Sequence, residues 1–580
     1  MSGKNLINAV EDIVNESLIG YTFAYPHLEL HASKRVVLKS GWRKVSEKVS
    51  VVSGGGSGHE PFTSGFVGSG MLSASVSGSI YAAPPSSHIL HAIQCVSMNN
   101  KNAGCLVIIP NYTGDCLNFG LAIEEAKRLG LKVSQVVVED DCSIPECELG
   151  RAGKRALPGI VLVIKVAGAM AEKGCSLDEV TKFTQTVCDN VASCSVGLTV
   201  CTVPGQGRMF ELANDEVELG QGLHGEAGYK RMKLTTANEI VSELLERIKK
   251  ASKVTSGDSV AILINNFGGL SQLEQGVVVK EVVTQLRTVG ITPVRVYCGL
   301  LMTSLDGAGI TISLLKLPES ERELILDCLD DRTEAPRWPG CSYSLPASNY
   351  QDDTNFESFE EKCSEDGPRL REDQGKMLKR CLQNACLAII AKEKVINELD
   401  GGCGDGDCGT THKHLAEGIL LAINDLDLEH PSLLLSQLAK IAEDRMGGTS
   451  GALYSLMFTA ASAELSKIDK NRQDWSKIWA LTCRAGLNGI MKYSKARLGD
   501  KTMIDVLEPS LRRFEENLSL PPAEVGKLVA TCALESAEST KNLIPRAGRA
   551  SYVKQAEYLK GVDAGAFAVA TWINAVVKTL

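Results

Sequence analysis

Near residue 337 the hydrophobic pattern of this 580-residue chain changes kind, and no other feature constrains its fold as tightly. Before that point short β-branched runs alternate with helical periodicity. Residues 48–53 (KVSVVS), 105–109, 132–138, 160–164, 196–203 and 259–265 have the composition of buried strands. Residues 118–129 and 177–192 repeat apolar side chains at helical spacing. Ser176 with Glu179, and Thr236 with Glu239, carry the capping-box pattern of helix starts. Such alternation predicts α/β layers over residues 1–336, in two subdomains given the length. Residues 337–372 begin Arg337-Trp338-Pro339-Gly340 and continue with Ser, Asn, Asp and Glu, which reads as a solvated linker. From 373 to 580 the period is helical: 377–398, 412–424, 433–444, 452–465, 475–493 and 525–541. An all-α domain is predicted there.

Residues 1–18 read as an amphipathic helix, with Leu6, Val10, Ile13, Val14 and Leu18 recurring on one face. They lack the basic start, apolar centre and cleavage site of a signal peptide. The most apolar run, residues 159–170, contains Lys165 and is too short to span a bilayer, so no membrane association is expected. Nineteen cysteines scattered through helical and strand patterns read as the reduced thiols of a cytoplasmic protein. Cys403 and Cys408 are too far apart for a CxxC pair, so no structural zinc site is expected from them. A net charge of −9 and a pI of about 5.7 argue against nucleic-acid binding. An acidic chain holds a polyanion through metals, backbone amides and a few placed cations.

Three glycine-rich segments carry the first candidate site. The strand at 48–53 runs into Gly54-Gly55-Gly56-Ser57-Gly58-His59-Glu60-Pro61. The run lacks the Walker lysine and the GxGxxG spacing, so its unusual feature is His59 directly behind the glycines. The strand at 105–109 is followed by Pro110-Asn111-Tyr112-Thr113-Gly114-Asp115, again at a carboxyl end, where open α/β sheets place their ligand crevice. Residues 220–228 (GQGLHGEAG) set His224 between glycines, with Glu226 two positions on. The chain has nine histidines, and two of them sit in such loops.

The second candidate site is acidic. Asp400, Asp405 and Asp407 fall within eight positions of a glycine-rich turn, a pattern that asks for a hard cation with oxygen ligands. Counted from Asp405, position six is Thr410 and position twelve is Ala416, so the segment is not an EF-hand. Gly447-Gly448-Thr449-Ser450-Gly451 precedes a helix, a favourable place for amide and hydroxyl contacts to phosphate. Lys501, in residues 499–503, and Arg549, in residues 547–552, add cations in loops.

Residues 53–61, 111–115 and 224–228 resemble the substrate half of the dihydroxyacetone kinases, from about residue 5 to 335. The acidic loop and the segments after it resemble the nucleotide half, from about 373 to 580. The resemblance implies that His224 holds dihydroxyacetone or glyceraldehyde as a covalent hemiaminal. His59 and Asp115 serve the hydroxyl that is phosphorylated, and Gly56, Ser57, Gly58 and Pro110 line the same pocket. It further implies that Asp400, Asp405 and Asp407 bind magnesium on ATP, in an antiparallel helical barrel. Cys408, Gly409, Thr410, Thr411, Thr449, Ser450, Ser494, Thr502, Met503, Arg549, Asp563, Ala564 and Gly565 line the nucleotide. Pro110, Gly401, Thr449, Ser494 and Ala564 depart from the family's usual residues, and none of these changes removes a carboxylate. Both halves in one chain resemble the ATP-dependent members, and the animal enzymes among them imply a homodimer. They also imply a second reaction, cleavage of FAD to AMP and cyclic FMN with manganese or cobalt. A catalytically silent triose sensor is the alternative; its mark would be loss of the aspartates, and all three are present.

Overall fold

The computed structural model describes residues 4–44, 47–100, 102–144, 150–340, 366–401, 404–552 and 560–580, with Arg549 described by its backbone alone. Most of the stretch read as a linker, and Cys403, therefore lie outside the described residues. The chain divides into two compact units, Met1–Asp352 and Asp353–Leu580.

The first unit contains two six-stranded sheets. One is built from β1 (Leu28–His31), β2 (Val36–Lys39), β3 (Ser50–Ser57), β4 (Ala74–Ile80), β5 (Cys105–Pro110) and β6 (Val133–Val138), in the order β1-β2-β4-β3-β5-β6. Strands β3 to β6 pair parallel, while β1 and β2 add antiparallel at one side. The other holds β7 (Val191–Gly197), β8 (Glu216–Leu219), β9 (Lys230–Lys233), β10 (Ser259–Asn266), β11 (Thr292–Gly299) and β12 (Gly309–Lys316), ordered β11-β10-β12-β7-β8-β9. Strand periodicity of two sends alternate residues to opposite faces. Leu106 and Ile108 enter the core between the sheets, whereas Cys105, Val107 and Ile109 pack under the helices Ser86–Ser97 and Thr113–Arg128. On the second sheet Ala261 and Leu263 face the shared core, and Val260, Ile262 and Ile264 face the helices Ala237–Ser252 and Gln272–Thr288.

Residues 160–164, expected as a strand, instead open the helix Ile160–Glu172. This helix packs in the core that both sheets share, and every residue from Ile160 to Ala171 is buried. A helix enclosed on all sides needs no polar face, so its sequence shows no 3.6-residue period and mimics a buried strand. Lys165 is tolerated there because its ammonium donates to the Cys328 carbonyl. The expected strand 196–203 is confined to β7, after which residues 198–203 leave the sheet. The helix expected over 177–192 ends at Asp189, two residues before β7 starts. Both predicted capping boxes form, at Ser176 and Thr236. At the amino end the helix is Ile13–Ala24, not residues 1–18. Val14 and Leu18 reach the core, while Leu6 and Val10 are exposed.

Among its described residues the second unit is helical: Glu372–Ile390, Glu393–Asp400, Cys408–Ala422, Pro431–Met446, Gly448–Leu465, Trp475–Tyr493, Ile504–Glu516, Pro522–Ser539 and Ala564–Thr579. The expected helix 377–398 is broken at Ala391–Lys392, which turns Asn397 toward the glycine loop. Ile504–Glu516 and Ala564–Thr579 were not anticipated from the sequence. The last helix packs against the first, Glu372–Ile390. The helices enclose an apolar cavity of about 630 Å³ lined by Phe458, Trp475, Trp479, Phe514 and Trp572.

Candidate functional site

In the first sheet the chain passes from β3 to β4 on one side and then crosses, through the helix Ser86–Ser97, to β5 on the other side of β3. The carboxyl ends of β3 and β5 therefore flank a topological switch point, where α/β sheets open a ligand crevice. Gly54, Gly55, Gly56 and Ser57, expected in a loop, belong to β3 itself. Ser57 Oγ donates to the Gly78 carbonyl (2.8 Å), and a Cβ on Gly56 would meet the Ala82 nitrogen at 2.8 Å. Gly58 has φ +101° with the Tyr81 ring close against it, a position open only to glycine. Pro110 is buried at the end of β5, and a Cβ on Gly55 would touch its ring.

This backbone delivers His59 into a cluster of rings. His59 stacks on Tyr81 (centroids 5.0 Å) and lies 5.0 Å from His224, which also has Tyr81 at 4.7 Å and Tyr112 at 5.1 Å. His59 Nδ1–H donates to the Thr303 carbonyl (2.8 Å), leaving Nε2 as an acceptor. Burial, aided by His224 nearby, pushes the His59 pKa down to about 3, so this imidazole is neutral. On the second loop Glu226 Oε1 is 3.7 Å from His224 Nδ1, and Glu226 Oε2 accepts from the His224 backbone N–H at 2.9 Å. Burial alone would raise the Glu226 pKa. The hydrogen bond and charge of His224, with Arg155 3.5 Å away, outweigh it and hold the carboxyl well below its usual range.

Asp115 sits in the first turn of Thr113–Arg128, one turn earlier than the helix expected at 118. It is buried, its Oδ1 has no hydrogen-bond partner among the described residues, and burial raises its pKa to about 7. A buried carboxylate oxygen without a protein partner points to a ligand.

Sequence reasoning missed the residues that hold these loops together. Arg155 bonds Asp141 (2.7 Å) and the Gly220 carbonyl (2.8 Å), while Asn111 and Tyr112 pin the segment around it through the Lys154 and Ala156 carbonyls. Ser304 Oγ donates to the Leu223 carbonyl. No local pattern marks Arg155 or Ser304, because their contacts reach across 14 to 81 positions of chain.

In the second unit the carboxylate oxygens of Asp400, Asp405 and Asp407 lie within 4.8 Å of one another. Asp400 Oδ2 accepts from the backbone N–H groups of Gly406 (2.9 Å), Asp407 (3.2 Å) and Cys408 (3.3 Å), which folds the loop around it. Asn397 Oδ1, also missed from sequence, accepts from Gly409 (2.6 Å) and Thr410 (3.1 Å). Cys408, Gly409, Thr410 and Thr411, expected in a loop, form the first turn of a helix. Three carboxylates at this spacing, on a helix N-terminus, fit hard divalent cations with oxygen ligands.

Two further segments converge here. Asp563 caps the last helix by accepting from Ala566 N–H (2.8 Å). Burial raises its pKa to about 6, with Asp505, Lys501 and Asp400 near enough to act on it. Thr502 and Gly499 donate to the two Asp505 oxygens, and a Cβ on Gly565, next to Ala564, would touch Met503. Thr449 and Ser450 lie in the first turn of Gly448–Leu465. His412 and Tyr454, each about one turn further along, meet edge-on (5.4 Å), so the two helix starts are neighbours. Ser494 ends the helix Trp475–Tyr493 and is tied through Arg497 to Asp500, whose carbonyl accepts from Arg546 N–H. The Arg549 side chain lies outside the description.

An α/β unit with a histidine-lined crevice, followed by a helical unit with a carboxylate cluster, is the two-domain Dak architecture. The Dak1 domain matches residues 19–337 and the DAK2 domain residues 402–578, and the chain belongs to the dihydroxyacetone kinase family. It is 38% identical to mouse triokinase/FMN cyclase over 590 residues, covering 100% of this chain and 99% of that protein. Human triokinase/FMN cyclase is 37% identical over 590 residues, with 100% of both covered. The dihydroxyacetone kinase of C. freundii, solved in complex with AMP-PNP and Mg2+, matches with a TM-score of 0.69 and 29% identity over 100% of both chains.

Proposed function

We propose that this protein phosphorylates dihydroxyacetone and glyceraldehyde with ATP, holding the triose covalently on His224. One observation carries the reading. A single chain retains both a histidine crevice with an unpartnered buried carboxylate and a three-aspartate cluster, and relatives named for triose kinase activity align over its whole length.

The chemistry follows from the side chains. Anionic Glu226 beside Nδ1 favours the tautomer with the proton there, which leaves the His224 Nε2 lone pair for the carbonyl carbon. Addition forms one C–N bond as the C=O π bond breaks, the ring gives up its Nδ1 proton while the carbonyl oxygen takes one up, and nothing else leaves. A hydroxyl without a carbonyl, as in glycerol, cannot be held this way. Proton removal from the attacking hydroxyl falls to Asp115 rather than His59. A group with pKa about 7 is a competent base at neutral pH, whereas an imidazole near 3 serves as a hydrogen-bond acceptor. The aspartates would hold magnesium, which offsets charge on the β- and γ-phosphates. Segments 408–411, 449–450, 502–503 and 563–565 would surround the nucleotide, within an antiparallel helical barrel.

The test is ADP release by the purified protein with ATP and Mg2+, which should depend on added triose and yield triose phosphate. Triose-independent ATP hydrolysis would overturn the reading. The rate should also rise with pH through about 7, because burial keeps Asp115 protonated, and unable to accept a proton, below that value. Asp115→Asn should remove this limb and lower kcat about 100-fold or more. A flat kcat profile between about pH 6 and 8 would exclude Asp115 as the base.

We also propose a second activity at the same nucleotide site, cleavage of FAD to AMP and cyclic FMN with manganese or cobalt; the FMN cyclase activity for which the mouse and human relatives are named supports this reading. A cytoplasmic homodimer completes the proposal.

A further inference from the structure

A second cluster of metal-binding side chains lies in the first unit, outside the crevice. His31 ends β1, and His91 and Cys95 sit one turn apart on the helix Ser86–Ser97. Their donor atoms lie within 4.8 Å of one another. His31 Nδ1 is 2.8 Å from His91 Nε2, and Cys95 Sγ is 3.8 Å from the first and 3.6 Å from the second. Glu29 Oε1 stands 3.2 Å from His31 Nε2.

We propose that His31, His91 and Cys95 bind one zinc ion, with water as the fourth ligand. Two imidazoles and a thiolate suit zinc and exclude magnesium, which takes oxygen donors. The geometry agrees. With Zn–N of about 2.05 Å and Zn–S of about 2.3 Å, a tetrahedral site has S···N edges of about 3.5 Å and an N···N edge of about 3.3 Å. Both sulfur edges already stand within a few tenths of that. The N···N edge is shorter because a hydrogen bond joins the two rings, and a metal ion takes that bond's place.

The surroundings match what orients metal-binding imidazoles. His31 Nε2–H donates to Glu29, which turns the Nδ1 lone pair toward the centre. Glu29 also takes Arg43 at 3.4 Å, and the Arg43 guanidinium lies 4.3 Å over the Trp42 ring, so that cation is already engaged. Cys95 is buried, while both histidines are partly exposed, which gives the fourth ligand access to solvent. Binding is balanced: Cys95 releases its thiol proton to solvent, and His91 moves its ring proton from Nε2 to Nδ1. The ion would tie the end of β1 to the helix that covers the same sheet.

The test uses the metal-stripped full chain in millimolar Mg2+, so that the aspartate cluster is occupied, with one equivalent of Co2+ as the probe. The expected result is a near-ultraviolet sulfur-to-cobalt charge-transfer band with the strong visible bands of four-coordinate cobalt, both abolished by Zn2+. Cys95→Ser and His91→Asn, each checked for folding by circular dichroism, should lose the four-coordinate spectrum. Glu29→Gln should keep it but weaken Zn2+ affinity about 10–100-fold. A six-coordinate cobalt spectrum in the wild-type chain would overturn the site without any variant. Survival of the charge-transfer band in folded Cys95→Ser would assign it to another cysteine and overturn it equally. Neither outcome touches the kinase reading, which rests on other residues.

Discussion

Asparagine at Asp405 or Asp407 is expected to abolish phosphoryl transfer and FAD cleavage together. Their carboxylates and that of Asp400 lie within 4.8 Å of one another, close enough for each pair to repel by about 1–4 kcal/mol at effective dielectrics of 80 to 20. The Asp400 oxygen that folds the loop is already committed to three backbone amides, so the arrangement is built to persist. A bound divalent cation would make such crowding favourable. Removing one ligand charge weakens both the metal and the stabilisation it supplies, commonly by several kcal/mol, or about a thousandfold or more in rate. Turnover on ATP with triose, and separately on FAD, across a magnesium and manganese titration measures this. Near-normal turnover by either variant at low-millimolar magnesium would reduce the cluster to a solvated acidic loop.

His224→Ala should eliminate triose phosphorylation while leaving FAD cleavage largely intact. The two reactions differ in where the attacking hydroxyl comes from. A triose hydroxyl is positioned only while its carbonyl is held, and misplacing a nucleophile by about 1 Å costs ~100-fold. FAD cyclisation supplies its hydroxyl from its own ribityl chain, and the residues proposed to hold the nucleotide belong to the other unit. Paired turnover, with circular dichroism to confirm folding, reads the result. Parallel loss of both activities in a folded variant would mean that His224 acts in the cleavage reaction too, or that the halves are coupled.

Much of the candidate site is legible in the sequence. Glycines at strand ends and aspartates crowded into one turn are local patterns, and each reports a local requirement: close backbone approach, or a cation. The capping boxes at Ser176 and Thr236 were legible for the same reason, since a helix start is satisfied within four residues. Periodicity failed where burial was total. The helix Ile160–Glu172 is apolar on every side and cannot be told from a strand by pattern. It failed again at element edges, where Gly54–Ser57 extended a strand and Thr113–Asp115 joined a helix.

The two-unit order, the α/β and helical characters, and the placing of histidines and aspartates at strand ends and turns can be read along the chain, because those properties depend on neighbours a few positions away. The state those groups are in depends on how the chain packs. Burial of its own side chain raises the Asp115 pKa to about 7. Glu226 stays ionised because His224 and Arg155 are folded against it. His31 meets His91 across 60 residues and Cys95 across 64 because the helix Ser86–Ser97 packs on the sheet that contains β1. Desolvation and long-range pairing depend on the packed environment, which local sequence pattern does not record.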